Sequence, residues 1–359
     1  MSAVALLSPC YWPEVRRGGE RFTRELADGL LAAGHEPRLI TSHPGPPRCA
    51  VEDGLPVLRL PRPPQGRLVR RGYEPYLTHV PLTYAALRAR RFDVAHAVYP
   101  TDALAAGRWS RRTGRPALLS YLGIPDRRGL RYRRRRLEVL QRALRDCAAV
   151  VALSAYAADA FRWWLGYEAP VISPGVDLDA FAPAPRRASH PTIICSADAT
   201  EPRKHVGLLV EAFALVRRER PDAELVLSNP RALADAPGVS WRDLDDRAAL
   251  ARACGEAWVG ALPSSSEAFG LVLVEALACG TPVVGYDDGA IPEVISDRAI
   301  GRLFDRLEPR ALAQALLEAL ELAGEPGTAA RCRARAQEFS TARCTAAYLD
   351  LYRSLGVTA

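Results

Sequence analysis

The chain has 359 residues, 48% of them hydrophobic and 25% charged, with a formal net charge of +7. That length holds two domains of ordinary size, and the composition excludes a disordered, collagen-like or membrane-embedded chain. The eight cysteines stand singly without a C-x-x-C pair, which argues against a zinc ribbon or a disulfide framework and suits a reducing cytoplasm.

Residues 3–8 are a short apolar run, the pattern of a buried strand. The loop CYWPEVRRGG follows, and then a segment over 20–33 with Phe22, Leu26, Leu30 and Leu31 at helical spacing, ended by Gly34. Strand, glycine loop and helix form a geometry in which phosphate can approach backbone. The loop lacks G-x-G-x-x-G, so a dinucleotide fingerprint is absent. Further strands are expected over 37–41, 57–60, 92–98, 116–122, 148–153 and 169–173. Helices are expected over 82–90, 132–145 and 154–165. The segment 61–76, rich in proline and arginine, reads as a connection. The helix over 132–145, with Arg131 just before it, carries a run of arginines. Such a run is read either as a solvated face or as a contact with an anionic membrane surface or an acidic acceptor; nucleic acid is not expected, because aromatic residues do not interleave it.

The second half restarts the alternation. A strand over 191–196 is followed by ADATEPRKHVGLLVEAF, and Lys204 is the only lysine among the 48 basic residues. A compact ammonium on a flexible stem suits a departing phosphate. Strands over 258–262 and 281–285 bracket PSSSEAFGLVLVEALACG, residues 263–280. Here a serine-rich loop leads through Gly270 into an almost wholly apolar helix. Two carboxylates interrupt it, Glu267 in the loop and Glu275 in the helix. Buried acids are rare unless paired or used, and helix N-termini receive phosphate oxygens. Residues 341–354 are the last expected helix.

The pair Glu267 and Glu275, seven residues between them, resembles the E-x7-E signature of retaining glycosyltransferases of the GT-B fold, most closely family four. The resemblance runs through nearly the whole chain. It implies an α/β fold with two Rossmann-like parallel-sheet domains facing across a cleft: an acceptor-side domain over 1–172, onto which residues 340–359 pack back, and a nucleotide-sugar domain over 173–339. It implies a catalytic set of Lys204, Glu267, Arg203 and His96. Donor-binding residues would be Gly18, Gly19, Phe269, Gly270, Leu271 and Glu275, with Arg16, Arg17, Tyr99 and Asp102 on the acceptor side. His96 is read either as functional or as a hydrogen-bonded strand-end residue. The implied activity is retaining transfer of a hexose-type sugar from a nucleotide-diphosphate sugar to a hydroxyl of a small molecule, lipid head group or glycan. No metal or resident cofactor is expected: Asp177-x-Asp179 and Asp243-x-Asp245 look like D-x-D metal motifs, but neither is flanked by further carboxylate or histidine ligands. Two positions depart from the family pattern: Asp198 stands where an arginine is usual, and Val98 where some relatives carry a histidine. They motivate the alternative of a sugar-nucleotide-binding protein that does not transfer; a further alternative is a pseudo-glycosyltransferase of the same fold that joins non-sugar rings. Localisation is expected to be cytoplasmic, with peripheral contact to the inner membrane face as an extension; no signal peptide or membrane span is expected.

Overall fold

The computed structural model describes residues 1–15, 18–229 and 233–357. It divides into two compact units, residues 1–175 with 341–359, and residues 176–340.

The first unit holds a seven-stranded sheet in the order β3-β4-β2-β1-β5-β6-β7. Its strands are β1 (Ala3–Leu7), β2 (Glu36–His43), β3 (Arg48–Glu52), β4 (Leu55–Pro61), β5 (Val94–Ala97), β6 (Ala117–Tyr121) and β7 (Ala149–Ala152). All neighbours are parallel except β3 and β4. The central strands are apolar throughout because helices cover both faces. In β1, Ala5 and Leu7 join one core cluster and Val4 and Leu6 the other. The β3–β4 hairpin was not foreseen. Asp53 and Gly54 take positive φ at its turn, 45° and 80°, the conformation that Asp-Gly hairpin turns require.

The helix Thr341–Ser354 belongs to this first unit and packs on the helix Gly18–Ala32. Its Tyr348 and Tyr352 are buried in the sheet core.

Two expectations need correction. The strand over 169–173 does not form: only an isolated bridge joins Val171 to Ala152, because Pro170 has no N–H to give a ladder. The arginine helix over 132–145 is two helices, Arg127–Arg131 and Arg136–Asp146, broken where Arg135 adopts φ 62°. Arg136 turns inward to the buried Glu74, so the basic run is not one continuous solvated face.

The second unit holds a six-stranded, wholly parallel sheet in the order β10-β9-β8-β11-β12-β13. The strands are β8 (Thr192–Cys195), β9 (Glu224–Ser228), β10 (Val239–Arg242), β11 (Val259–Leu262), β12 (Val283–Tyr286) and β13 (Gly301–Phe304). The helix Leu271–Ala278 lies close on β11, where a Cβ on Gly260 would stand 2.8 Å from that of Ala276. Both units are therefore Rossmann-like α/β domains. No helix among the described residues is long and apolar enough to cross a membrane.

Candidate active site

Ligands of open parallel sheets bind beyond the carboxyl ends of the strands. In the second unit three adjacent strands, β8, β11 and β12, send their following loops to one place.

The loop after β8 folds on itself. Asp198 Oδ1 accepts hydrogen bonds from the Thr200 amide (2.9 Å) and hydroxyl (2.6 Å). A single 3-10 turn, Pro202–Lys204, follows, and His205 at φ 49° ends it and opens the helix Val206–Glu219. That turn presents Arg203 and Lys204 together.

The loop after β11 meets them. The Ser265 amide donates to the Arg203 carbonyl (2.9 Å), and Ser265 Oγ lies 3.0 Å from His205 Nε2. Glu267 Oε2 accepts from Lys204 Nζ (2.7 Å) and from Arg203 Nη1 (3.2 Å). Arg203 Nε also donates to Glu201 Oε1 (2.7 Å). The Glu267 and Lys204 side chains are only 13% and 14% exposed. Burial alone would raise the Glu267 carboxyl, but the two cations outweigh it and hold the group below the usual carboxylate range.

The loop after β12 fixes the other side of the same residue. The Ala290 amide donates to the Glu267 carbonyl (2.9 Å), and Asp288 Oδ2 accepts from the Ser266 amide (2.6 Å). Gly289 takes φ 63°, and a Cβ there would lie 2.5 Å from the Glu267 carbonyl oxygen. Only glycine permits that approach.

Past Glu267, Gly270 at φ 95° opens the helix Leu271–Ala278, whose first amides supply an anion-favouring terminus. Phe269 is buried with its ring edge-on to Phe339, centroids 5.3 Å apart. Leu271 is partly exposed and Glu275 buried on the same helix. Ser264 is fully buried, and its hydroxyl has no hydrogen-bond partner among the described residues. The arrangement thus offers two cations, a helix terminus, an orphan hydroxyl and a carboxylate able to accept hydroxyl protons.

Two family models match the chain: Glycosyltransferase Family 4 over residues 16–180 and Glycosyl transferases group 1 over residues 190–322. The chain belongs to the family-four-like glycosyltransferases of the GT-B fold.

Among curated relatives, a D-inositol 3-phosphate glycosyltransferase of Paenarthrobacter aurescens is 27% identical, covering 92% of this chain and 91% of that one. A phosphatidyl-myo-inositol mannosyltransferase of Mycobacterium leprae is 27% identical, covering 88% and 87%. Among solved structures, sucrose-phosphate synthase from Thermosynechococcus elongatus superposes with a TM-score of 0.81 at 21% identity, over all of both chains. Anabaena HepE with UDP and glucose gives 0.75 at 17% identity, covering 99% of this chain and 100% of that one. The last two show likeness of fold.

The remaining expected site residues of this glycosyltransferase lie in its first unit. Gly18 and Gly19 begin the helix Gly18–Ala32, and a Cβ on Gly19 would stand 3.1 Å from Leu122 Cδ1. Arg16 and Arg17 lie outside the described residues. Tyr99 is partly exposed and packs edge-on to Tyr76, centroids 5.6 Å apart.

Two assignments are corrected. His96 is fully buried, with Nδ1 2.7 Å from the Tyr352 hydroxyl and Nε2 2.7 Å from Ser120 Oγ; burial pushes its pKa down to about 3. Both ring nitrogens serve the core, so it is a structural residue and not a catalytic one. Asp102 is also fully buried, 3.4 Å from the Thr83 hydroxyl and 3.9 Å from His79 Nε2, so its carboxylate faces the core of the first unit and not an open acceptor-side edge.

The two aspartate pairs fold into turns. Asp177 Oδ1 accepts from the amides of Asp179 and Ala180 while Oδ2 meets Arg247, and Asp243 Oδ1 accepts from the Asp245 amide. Among the described residues no group of three or more His, Cys, Asp or Glu is placed to hold a metal ion.

The segment YDDGAIPEVI resembles the family's G-G-x-P-E turn, but sequence reading did not foresee that its Asp288 and Gly289 hold Glu267, and it missed His205. Nothing in the sequence marks His205 as the residue that would reach Ser265.

Proposed function

We propose that the site around Lys204, Arg203 and Glu267 binds a nucleotide-diphosphate sugar, and that the chain transfers the sugar to a hydroxyl acceptor with retention of configuration. The observation that carries this reading is the convergence of both cations on Glu267 beside the helix Leu271–Ala278. On donor binding, the diphosphate replaces Glu267 as the partner of Lys204 and Arg203, and the freed carboxylate accepts hydrogen bonds from sugar hydroxyls. The helix terminus and Ser264 Oγ add donors to the phosphates, and Glu275 accepts from the ribose.

Transfer proceeds on one face of the sugar. The bond between the anomeric carbon and the phosphate oxygen breaks as the acceptor oxygen bonds to that carbon, and the departing phosphate oxygen takes the acceptor's proton. Lys204 and Arg203 offset the charge that grows on the leaving group, the role in which preorganised donors are most effective. The names of two relatives, which act on an inositol phosphate and on a phosphatidylinositol, support a polyol hydroxyl as acceptor. The binding-only alternative rests on Asp198 and Val98; the Asp198 carboxylate is engaged with Thr200, which favours a site that still admits a diphosphate.

The test is a thermal shift against uridine, guanosine and adenosine diphosphates, followed by release of nucleotide diphosphate from the matching sugar nucleotides. A ligand at a hundred times its dissociation constant stabilises by about 2.7 kcal/mol. A clear shift with one base, and donor turnover with an inositol or other polyol, is the expected result. No shift with any base overturns the reading; a shift without turnover returns it to a binding protein.

A further inference from the structure

The first unit carries an exposed aromatic surface outside the residues proposed for sugar transfer. The helix Ala155–Leu165 buries Ala157, Ala158 and Phe161, yet leaves Tyr156, Trp163 and Trp164 43%, 82% and 44% exposed. Tyr156 and Trp163 are seven residues apart and share one face of the helix. Tryptophan is seldom so bare, and clustered exposed aromatics mark an interaction site.

This helix forms one wall of an open groove of about 610 Å³, and Ile124 and Asp126 form the other. Asp126 caps the helix Arg127–Arg131, its carboxylate accepting from the Gly129 amide at 2.6 Å. The groove's edge therefore runs directly into Arg127, Arg128 and Arg131. All three are exposed, and none has a carboxylate partner among the described residues. Residues 126–146 hold nine arginines against three acids, a net +6 within a chain of +7. The acids beside the aromatics are engaged: Asp126 in its cap, and Asp159 with Arg162 at 3.0 Å.

We propose that the Trp163–Trp164 helix and the adjoining Arg127–Arg131 helix form a docking surface for an anionic lipid bilayer. Amphipathic rings settle at the headgroup level while arginines meet lipid phosphates, and the two contributions together suffice for reversible attachment. Single-stranded nucleic acid fits less well. Consecutive helical residues point about 100° apart, so Trp163 and Trp164 cannot offer parallel faces to successive bases. The Tyr132 ring is already covered by the Arg133 and Arg136 guanidinium groups, 4.9 Å and 5.5 Å from its centroid.

The experiment is co-sedimentation of the full chain with phosphatidylcholine vesicles, with and without phosphatidylglycerol, at low and high salt. It is paired with quenching of tryptophan fluorescence by brominated lipid. Binding is expected only to phosphatidylglycerol vesicles, and it should fall as salt rises. The Arg127→Gln/Arg128→Gln/Arg131→Gln variant is expected to bind on the order of 100-fold more weakly, about fivefold for each charge. Trp163→Ser/Trp164→Ser is expected to lose quenching, with circular dichroism and thermal midpoint unchanged. No sedimentation with phosphatidylglycerol overturns the proposal. So does unchanged binding by both variants, or tighter capture of a single-stranded RNA that the same variants abolish.

Discussion

Lys204 Nζ and Glu267 Oε2 are 63 residues apart in sequence and 2.7 Å apart in space. The contact joins the loops after two neighbouring strands, β8 and β11, and it places the chain's only lysine against the first glutamate of its E-x7-E pair.

Removing the ammonium tests its role directly. Lys204→Ala is expected to lower turnover about 100- to 1000-fold, the usual loss when one transition-state donor is removed, with the far-ultraviolet spectrum intact. Lys204→Arg is expected to recover only part of the rate, because a planar fork replaces a compact point charge. Initial rates with saturating donor check both; wild-type turnover in Lys204→Ala would remove the proposed chemistry.

The same pair predicts a pH dependence of stability. The folded Glu267 carboxyl sits below its ordinary range, so it contributes stability above the unfolded value, about 4.3. That contribution disappears as pH falls through the folded value. Thermal midpoints of the wild type and Glu267→Gln should differ near neutrality and converge on acidification below a pH of about 4. A gap that stays constant over this range argues that the pair adds nothing pH-linked.

Asp102 should behave in the opposite sense. Burial raises its carboxyl to about 7, with the Thr83 hydroxyl opposing only weakly. Folding therefore favours the protonated form, and the cost of the ionised one grows as pH rises from about 3.9, the unfolded value, and levels off above about 7. Asp102→Asn, which cannot ionise, should gain in thermal midpoint over the wild type at pH values above this window and show little difference below it. Calorimetry across the window checks the sign.

His96→Ala separates architecture from catalysis. It strands the Tyr352 hydroxyl in the core, at about 1–3 kcal/mol for an unsatisfied group, while Ser120 Oγ keeps the Tyr348 hydroxyl at 2.7 Å. The urea midpoint should fall accordingly, while turnover per folded molecule stays within a few-fold of wild type. A collapse of turnover without loss of stability would return His96 to the catalytic set.

The sequence made the fold legible because its alternating apolar strands and capped helices are local signals. The E-x7-E spacing and the lone lysine marked the site for the same reason: both are visible one residue at a time. What escaped was non-local. That His96 faces Tyr352, and that Asp102 lies under Thr83 and His79, depends on which helices pack on the sheet and on one another. His205 bonding to Ser265 depends on a left-handed backbone that few non-glycine residues adopt. The division of the arginine run at Arg135 has the same origin.

The return of the helix Thr341–Ser354 to the first unit bears on how the chain is made. The sheet core that holds Val4 and Leu6 is completed by Tyr348 and Tyr352, so the first unit cannot close until the helix Thr341–Ser354 has left the ribosome. The unit spanning residues 176–340 is contiguous and can fold while its predecessor still waits. Nascent chains halted before residue 341 should therefore be cut by protease within residues 1–175.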